Sequence, residues 1–466
     1  MIEGLQPYAE YKESGLPWLD RIPSRWDESR SKYLFREVDV RSATGDEMRL
    51  SMSQRHGLIP SASVEEKRLV SKTNVGGKIC EPGDLVLNRL KAHLGVFALA
   101  SLRGIVSPDY SVFRALGSIN GRYFCTLYRS PYCGQELRRT AKGIVEGFWR
   151  LYTNDFYDIR VPVPPPDEQA AIVRFLDHAN RKMDGFIRAK RKLIALLGEQ
   201  KQAIIHRVVT RGLDPNAPLK PSGIPWLGDI PTHWEVLALK RVLRRLIDCE
   251  HKTAPATDGS ELRVVRTTGI RHGQLRFHGT YGTTPEAFKQ WTRRGLPEAG
   301  DVLFTREAPA GEACVMPEGT TLCMGQRTVL MKLRANRINA HFLVHSIYGG
   351  PPRTAITLAS QGSTVGHFNM SDIGDLTVFL PPLGEQIVIV EAIERDIEPL
   401  NTAIARTERE IVLMQEYRTR LTADVVTGKL DVRPAAAKLP ALPDEAAAEP
   451  LADEAEEELE PEEAEA

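Results

Sequence analysis

Two stretches of the chain space apolar residues alternately four and three apart, the pattern of a coiled-coil seam. The first seam runs through Leu176, Asn180, Met183, Ile187, Lys190, Ile194, Leu197, Lys201 and Ile204. The second runs through Ile393, Ile397, Leu400, Ile404, Thr407, Ile411, Met414, Arg418 and Leu421, and six of the nine positions are apolar in both. Asp167 is a good N-cap after Pro164-Pro165-Pro166, and Gly212 follows the last periodic residue. The pattern predicts helices over 166–212 and 382–428. Helices of that length are not held by propensity alone, so each seam needs a partner, most simply the other seam in antiparallel sense. Pro399 predicts a kink or a restart in the second helix. Asn180, Lys190 and Lys201 are expected at the surface where the pair splays, with register fixing as the alternative.

Elsewhere the pattern changes to short apolar runs bounded by Gly and Pro turns, at 83–87, 96–100, 110–113, 302–304 and 328–333. These read as strands of mixed, β-rich domains.

The chain also repeats itself. Ser14-Gly15-Leu16-Pro17-Trp18-Leu19, Ile22-Pro23 and Trp26 recur as Ser222-Gly223-Ile224-Pro225-Trp226-Leu227, Ile230-Pro231 and Trp234. A Gly-Asp turn leads into a strand at Gly83-Asp84 and again at Gly300-Asp301, and paired glycines recur at 143–147 and 362–366. Pro165-Pro166-Asp167-Glu168-Gln169 matches Pro382-Leu383-Gly384-Glu385-Gln386, and the copies then run ungapped to Leu213-Asp214 and Leu430-Asp431. This is a tandem duplication. The frames match, while the interiors, about 39–142 and 247–361, share little beyond strand and turn patterns. Both copies need one scaffold but present different surfaces. The expected fold class is α+β, with a pseudo-two-fold tandem repeat. Mixed β-rich domains over 1–165 and 213–381 are joined by two long antiparallel coiled-coil helices, and a tail follows over 429–466. The tryptophans Trp18, Trp26, Trp226 and Trp234 are expected to be core or docking anchors.

Charge adds one feature. The formal net charge is +0, yet from Asp444 to the end there are twelve acidic residues and no basic ones, which leaves 61 basic residues against 49 acidic ones before it, a body of +12. That excess suits a polyanionic partner without requiring one. The acidic tail is expected to be disordered. No run of about eighteen apolar residues spans a membrane, and the polar first fourteen residues do not read as a leader, so the expectation is a cytoplasmic protein. The six cysteines have no CxxC spacing and read as buried thiols in a reducing compartment.

Signatures of catalysis are missing. Gly76-Gly77-Lys78 lacks the upstream glycine and the hydroxyl of a phosphate-binding loop, and no GxGxxG follows a strand. No Asn-Pro-Pro-aromatic run is present to grip an extruded adenine. His341 and His345 share a helix face, but Phe342 stands where a zinc protease carries its glutamate, so both read as ordinary helix residues. Three classes stay open on these residues: a DNA-reading subunit, a DNA-modifying enzyme with an unrecognised motif, and a coiled-coil adaptor for proteins.

The duplicated Ser-Gly-Leu/Ile-Pro-Trp-Leu motifs, the divergent interiors and the Glu-Gln-headed helices ending in Val-Val-Thr-x-x-Leu-Asp resemble type I restriction-modification specificity subunits, from position 11 to about 433. The resemblance implies a non-catalytic reader of a bipartite DNA sequence. Each interior would be a target-recognition domain, and the helix pair would set the unread gap. It implies double-stranded DNA, two methylation subunits and motor-nuclease restriction subunits as partners. S-adenosylmethionine, ATP and Mg are expected on those subunits, with no cofactor on this chain. The acidic tail departs from the family pattern.

Base edges are most often read by Arg, Lys, Asn and Gln on loops, while phosphate contacts fix position. In the first interior the candidates are Asn88, Arg89 and Lys91 after the Gly-Asp strand, Ser107 and Tyr110 in the next loop, and Lys142. In the second they are Thr305, Arg306, Gln326, Arg327, Gln361 and Ser363.

Overall fold

The computed structural model describes residues 5–53, 57–63, 74–145, 148–225, 227–307, 309–361 and 368–440. Trp226, Ser363, the glycines at 362–366 and the acidic tail lie outside the described residues. The chain forms two compact units, Met1–Arg188 with Ile411–Ala466, and Ala189–Glu410. Each holds one β-rich body and a part of each long helix.

In the first unit a four-stranded antiparallel sheet has the order Phe35–Glu37, Tyr110–Ala115, Leu85–Asn88, Phe97–Leu99. Alternation along the strands decides what each face buries. Leu85, Leu87 and Phe113 join an aromatic core with Phe35, Tyr128 and Phe156, in which the Phe113 and Phe156 rings lie 4.5 Å apart. Val86 and Val112 point the other way, into a cluster under the hairpin of Leu50–Ser53 and Gly57–Pro60. Helices Gly121–Tyr128 and Pro131–Thr140 follow, capped by Asn120 and Ser130.

The second unit repeats this with Leu243–Asp248, Thr328–Leu333, Val302–Thr305 and Ala313–Val315 in the same order. Val302, Phe304 and Met331 face the helices, and Leu303 and Leu330 face the opposite cluster. Its interior also holds a three-stranded sheet, Thr280–Gly282, Arg263–Val265, Leu322–Met324, and the helix Pro285–Trp291.

The repeated motifs are the contacts that lock each helix into its unit. Trp26 and Trp234 are fully buried, and their indole N–H groups donate to Glu168 and Glu385, the latter at 3.0 Å. The neighbouring glutamines do the same task twice. Gln169 donates to the Pro164 carbonyl (2.8 Å) and accepts from the Asn120 amide (2.8 Å). Gln386 donates to Pro381 (2.9 Å) and accepts from Asn339 (2.8 Å). Each long helix then ends on a glycine at positive φ, Gly212 (72°) or Gly428 (78°). A Cβ on Gly212 would come within 3.2 Å of the Trp234 ring, and one on Gly428 within 3.0 Å of Trp26, so the tryptophan of each unit packs under a helix end that only glycine fits. Trp18 is half-buried and donates to the Arg160 carbonyl.

The long helices are Pro166–Arg211 and Leu383–Val426. No seam position in either is exposed. In the second unit Lys190 meets Glu410 (2.7 Å) and Lys201 donates to Asn401 (2.8 Å), positions that rise in one helix as they fall in the other, so the segments are antiparallel. In the first unit Arg418 binds Asp184. The exposure expected of Asn180, Lys190 and Lys201 is therefore corrected. All three are half-buried in the seam, because the facing segment supplies Glu410 and Asn401 to the two lysines. Arg418 and Asp184 occupy the repeat positions of Lys201 and Asn401, so both units carry a polar pair at the same level of the seam, the arrangement that fixes register. The restart expected at Pro399 does not occur; the helix runs through it. All six cysteines are free and buried.

Candidate nucleic-acid interface

In the first unit, five of the candidates surround one end of the four-stranded sheet. Asn88 ends its strand paired with Tyr110. Its side-chain oxygen accepts from the Leu90 (3.1 Å) and Lys91 (3.3 Å) amides, turning the chain into the short helix Ala92–Leu94. Arg89 reaches across to the next loop, donating from Nε to the Asp109 carbonyl (2.6 Å) and from Nη2 to Pro108 (3.2 Å). Ser107 closes that loop by accepting from the Asp109 amide (3.3 Å), while the Tyr110 amide donates to the Ser107 carbonyl (3.0 Å).

Lys142 joins this group through a hairpin. It pairs across strands with Arg150, whose guanidinium lies 3.2 Å from the Asp109 carboxylate and 5.7 Å from the centre of the Tyr152 ring. Lys142 itself is exposed and donates to Asp155 (2.8 Å), which raises its pKa. Arg150 and Tyr152 were not anticipated, although an arginine two residues from a tyrosine beside a glycine turn was a visible signal. The result is a surface with three cations, Arg89, Lys142 and Arg150, tied together through Asp109 and the hairpin pairing.

The second unit treats its candidates differently. Thr305 is buried, donating to the Pro309 carbonyl (2.6 Å) and accepting from the Glu312 amide (3.0 Å). Arg306 is buried as well. Its Nη1 sits 3.0 Å from both Asp248 oxygens and its Nε donates to the Phe368 carbonyl (3.0 Å). Both side chains hold the strand end in place and do not reach the surface. Gln326 and Arg327 do stand exposed together in a turn, where Arg327 takes φ 65° and its Nε lies 3.2 Å from Glu307. Gln361 is the last residue of the helix Pro351–Gln361; its side chain, like all of Ser363, lies outside the described residues.

A different basic segment lies on this unit. Between Glu261 and Glu286 the chain carries four arginines, two histidines and no acid. Arg266, His272, Arg276 and His278 are exposed, Arg266 stacks 4.6 Å from the Tyr281 ring centre, and Phe277 is 55% exposed between Arg276 and His278. Charge counted over a window shows this run in the sequence, away from the ends of the Gly-Asp strands.

His345 is half-buried on the helix Ala340–Gly349. Burial, with His341 and Lys201 nearby, holds its pKa down from 6.5 to about 4. His341 lies 3.9 Å from Glu394. Among the described residues no group of three His, Cys, Asp or Glu side chains could hold a metal ion, and no helix is long and apolar enough to cross a membrane.

No family model matches the chain. It is 22% identical over 275 residues to the putative type I restriction enzyme MjaX specificity subunit of Methanocaldococcus jannaschii, covering 59% of this chain and 60% of that one. It is 22% identical over 283 residues to the MjaVIII specificity subunit of the same organism, covering 60% of this chain and 64% of that one. The chain is a homologue of type I specificity subunits. It spans 60–64% of the length of these relatives. A solved structure described as showing complex assembly and conformational transition of the type I R-M system matches with a TM-score of 0.58 at 17% identity, over 88% of this chain and 99% of that one. That likeness is one of fold, and it extends over most of both chains.

Proposed function

We propose that the chain is the DNA-specificity subunit of a type I restriction-modification complex, reading a bipartite duplex target and carrying no catalytic site. The observation that supports this most is the split between a frame repeated contact for contact and two interiors that use the same strand ends differently. Arg89 is half-buried against the carbonyls of an exposed loop, and its repeat-equivalent Arg306 is buried on Asp248. Two modules that share a scaffold but not a surface are suited to two different half-sites. The homology to specificity subunits and the +12 body before the tail agree with a polyanionic ligand.

In this reading the first module uses Arg89, Lys91, Lys142 and Arg150 around the 107–110 loop, and Asn88 shapes the turn that presents them. The second uses Gln326 and Arg327 with the basic segment 262–285. Methylation and restriction subunits would bring S-adenosylmethionine, ATP and Mg. The test is to map modified adenines in host DNA with and without this gene. The reading expects one split motif to lose its modification when the gene is removed. An unchanged map would contradict it.

A further inference from the structure

The divergent interiors share one element that the repeat of the frame does not predict. A hairpin of Leu50–Ser53 and Gly57–Pro60 in the first unit corresponds to a hairpin of Ile270–Arg271 and Gln274–Leu275 in the second. The correspondence rests on register. A Cβ on Gly57 would meet the Ala98 side chain, and Gly273 bridges to Cys314. Ala98 and Cys314 hold the same place against the Gly-Asp strands, opposite Val86 and Leu303. Along the sequence the hairpins read Arg55-His56-Gly57 and Arg271-His272-Gly273. The same tripeptide therefore ends on both of these glycines in two surfaces that otherwise differ, with Arg55 and His56 themselves outside the described residues.

In the second unit this turn is held firmly. His272 and Gly273 have φ 52° and 83°, both left-handed, as in a type I′ hairpin. Histidine adopts this conformation rarely, and strain of that kind persists only where surrounding contacts impose it. Here the His272 amide donates to Glu312 (2.7 Å), and the Gly273 amide donates to the Tyr348 hydroxyl (3.0 Å). Tyr348 in turn donates to Glu312 (2.7 Å). Behind the hairpin, Gly269 and Gly279 touch backbone to backbone; a Cβ on Gly279 would come within 2.3 Å of Gly269. The His272 side chain is left exposed, while Arg271 is half-buried and its Nη1 is buried without a hydrogen-bond partner. The tip is a fixed backbone with an exposed imidazole beside a half-buried guanidinium, one of whose buried donors lacks an acceptor.

A side-chain pair repeated in two otherwise different readers suits a task that is the same at both half-sites. Bases differ between half-sites, whereas the phosphodiester backbone does not. We propose that the Arg271-His272 tip grips a DNA phosphate, fixing the module's position without reading sequence. Base reading is left to the flanking residues, including Arg266, Arg276 and Phe277. This rests on duplex DNA being the ligand.

The test uses the full-length chain, a set of unrelated duplexes and a range of salt concentrations. The R271A/H272A double variant should bind every duplex more weakly by a common factor of about tenfold, and its log affinity against log salt should flatten by about one unit. The sequence preference selected from random duplexes should stay as in wild type. The R271K variant should recover most of the loss, and its recovery shows that the fold has not failed. A changed preference at one half-site with an intact salt slope would overturn the proposal by making the tip a base reader. Unaltered affinity and slope in R271A/H272A would overturn it too. A wild-type chain that binds no duplex would instead refute DNA reading itself, and that outcome is seen before any substitution is made.

Discussion

The arginine that follows each Gly-Asp strand has two fates. Arg89 spans an exposed turn to the carbonyls of Pro108 and Asp109, whereas Arg306 is buried against Asp248 and the Phe368 carbonyl. The tryptophan and Glu-Gln anchors of the same two copies make matching contacts. A duplicated scaffold can thus keep its joints while the same residue type moves from surface to support. The joints are conserved between the copies because each satisfies a buried polar group, and an unsatisfied one is costly. Loop residues carry no such obligation.

Even the joints differ in depth, and that difference can be tested. Removing either buried indole, in W26A or W234A, should destabilise the unit that holds it by about 3–5 kcal/mol in chemical denaturation followed by hydrogen exchange. Equal loss of protection in both units after one substitution would break the picture of two locally anchored frames. Glu168 is 1% exposed and carries Arg433 at 3.0 Å, Arg25 at 3.5 Å and the Trp26 N–H. Glu385 is 30% exposed with His233 at 2.8 Å and Trp234. E168A should therefore cost about 2–3 kcal/mol, because it leaves the buried Trp26 N–H without its acceptor and takes from half-buried Arg433 one of its two carboxylates, and E385A about 1–2 kcal/mol. Matching losses would show that depth of burial does not separate the two joints.

His345 sharpens the contrast through pH. Its folded pKa of about 4 lies below the 6.5 of the free side chain, so the unfolded chain takes up this proton first. The stability it supports is complete above about 6.5 and falls as pH drops toward 4, by up to about 3 kcal/mol. Melting curves of wild type and H345Q over pH 7 to 4 should converge in acid; parallel curves would exclude this site as the cause. The smallest effect is at Pro399, which leaves the Arg395 carbonyl without its helical donor. P399A should raise stability by about 1–2 kcal/mol, and a loss would mean that the interruption is needed for packing.

The long helices and the frame were legible because their signals are local or repeated. A four-three spacing survives any tertiary context that buries it, and nine paired motif residues mark one scaffold twice. The polar seam residues are illegible locally because their partners, Glu410 and Asn401, lie far along the chain, 200 positions in the case of Lys201 and Asn401. Arg306 was equally opaque: nothing beside it in sequence announces Asp248, 58 residues earlier. The Arg-His-Gly hairpin was readable in principle, but an alignment that drifts by nine residues inside the module hides a three-residue match. Only the strand register brought Gly57 and Gly273 to equivalent places.

The central claim is that each copy reads its own half of a split target. Selecting preferred duplexes from a random pool with the full-length chain, and again with R89A/K91A, tests it most directly. The account predicts two short fixed blocks around an unread gap for the wild type. In the variant one block should blur, at a cost of about 1–3 kcal/mol per lost contact, while the other stays sharp. Simultaneous loss of both blocks, or one uninterrupted block from the start, would contradict it.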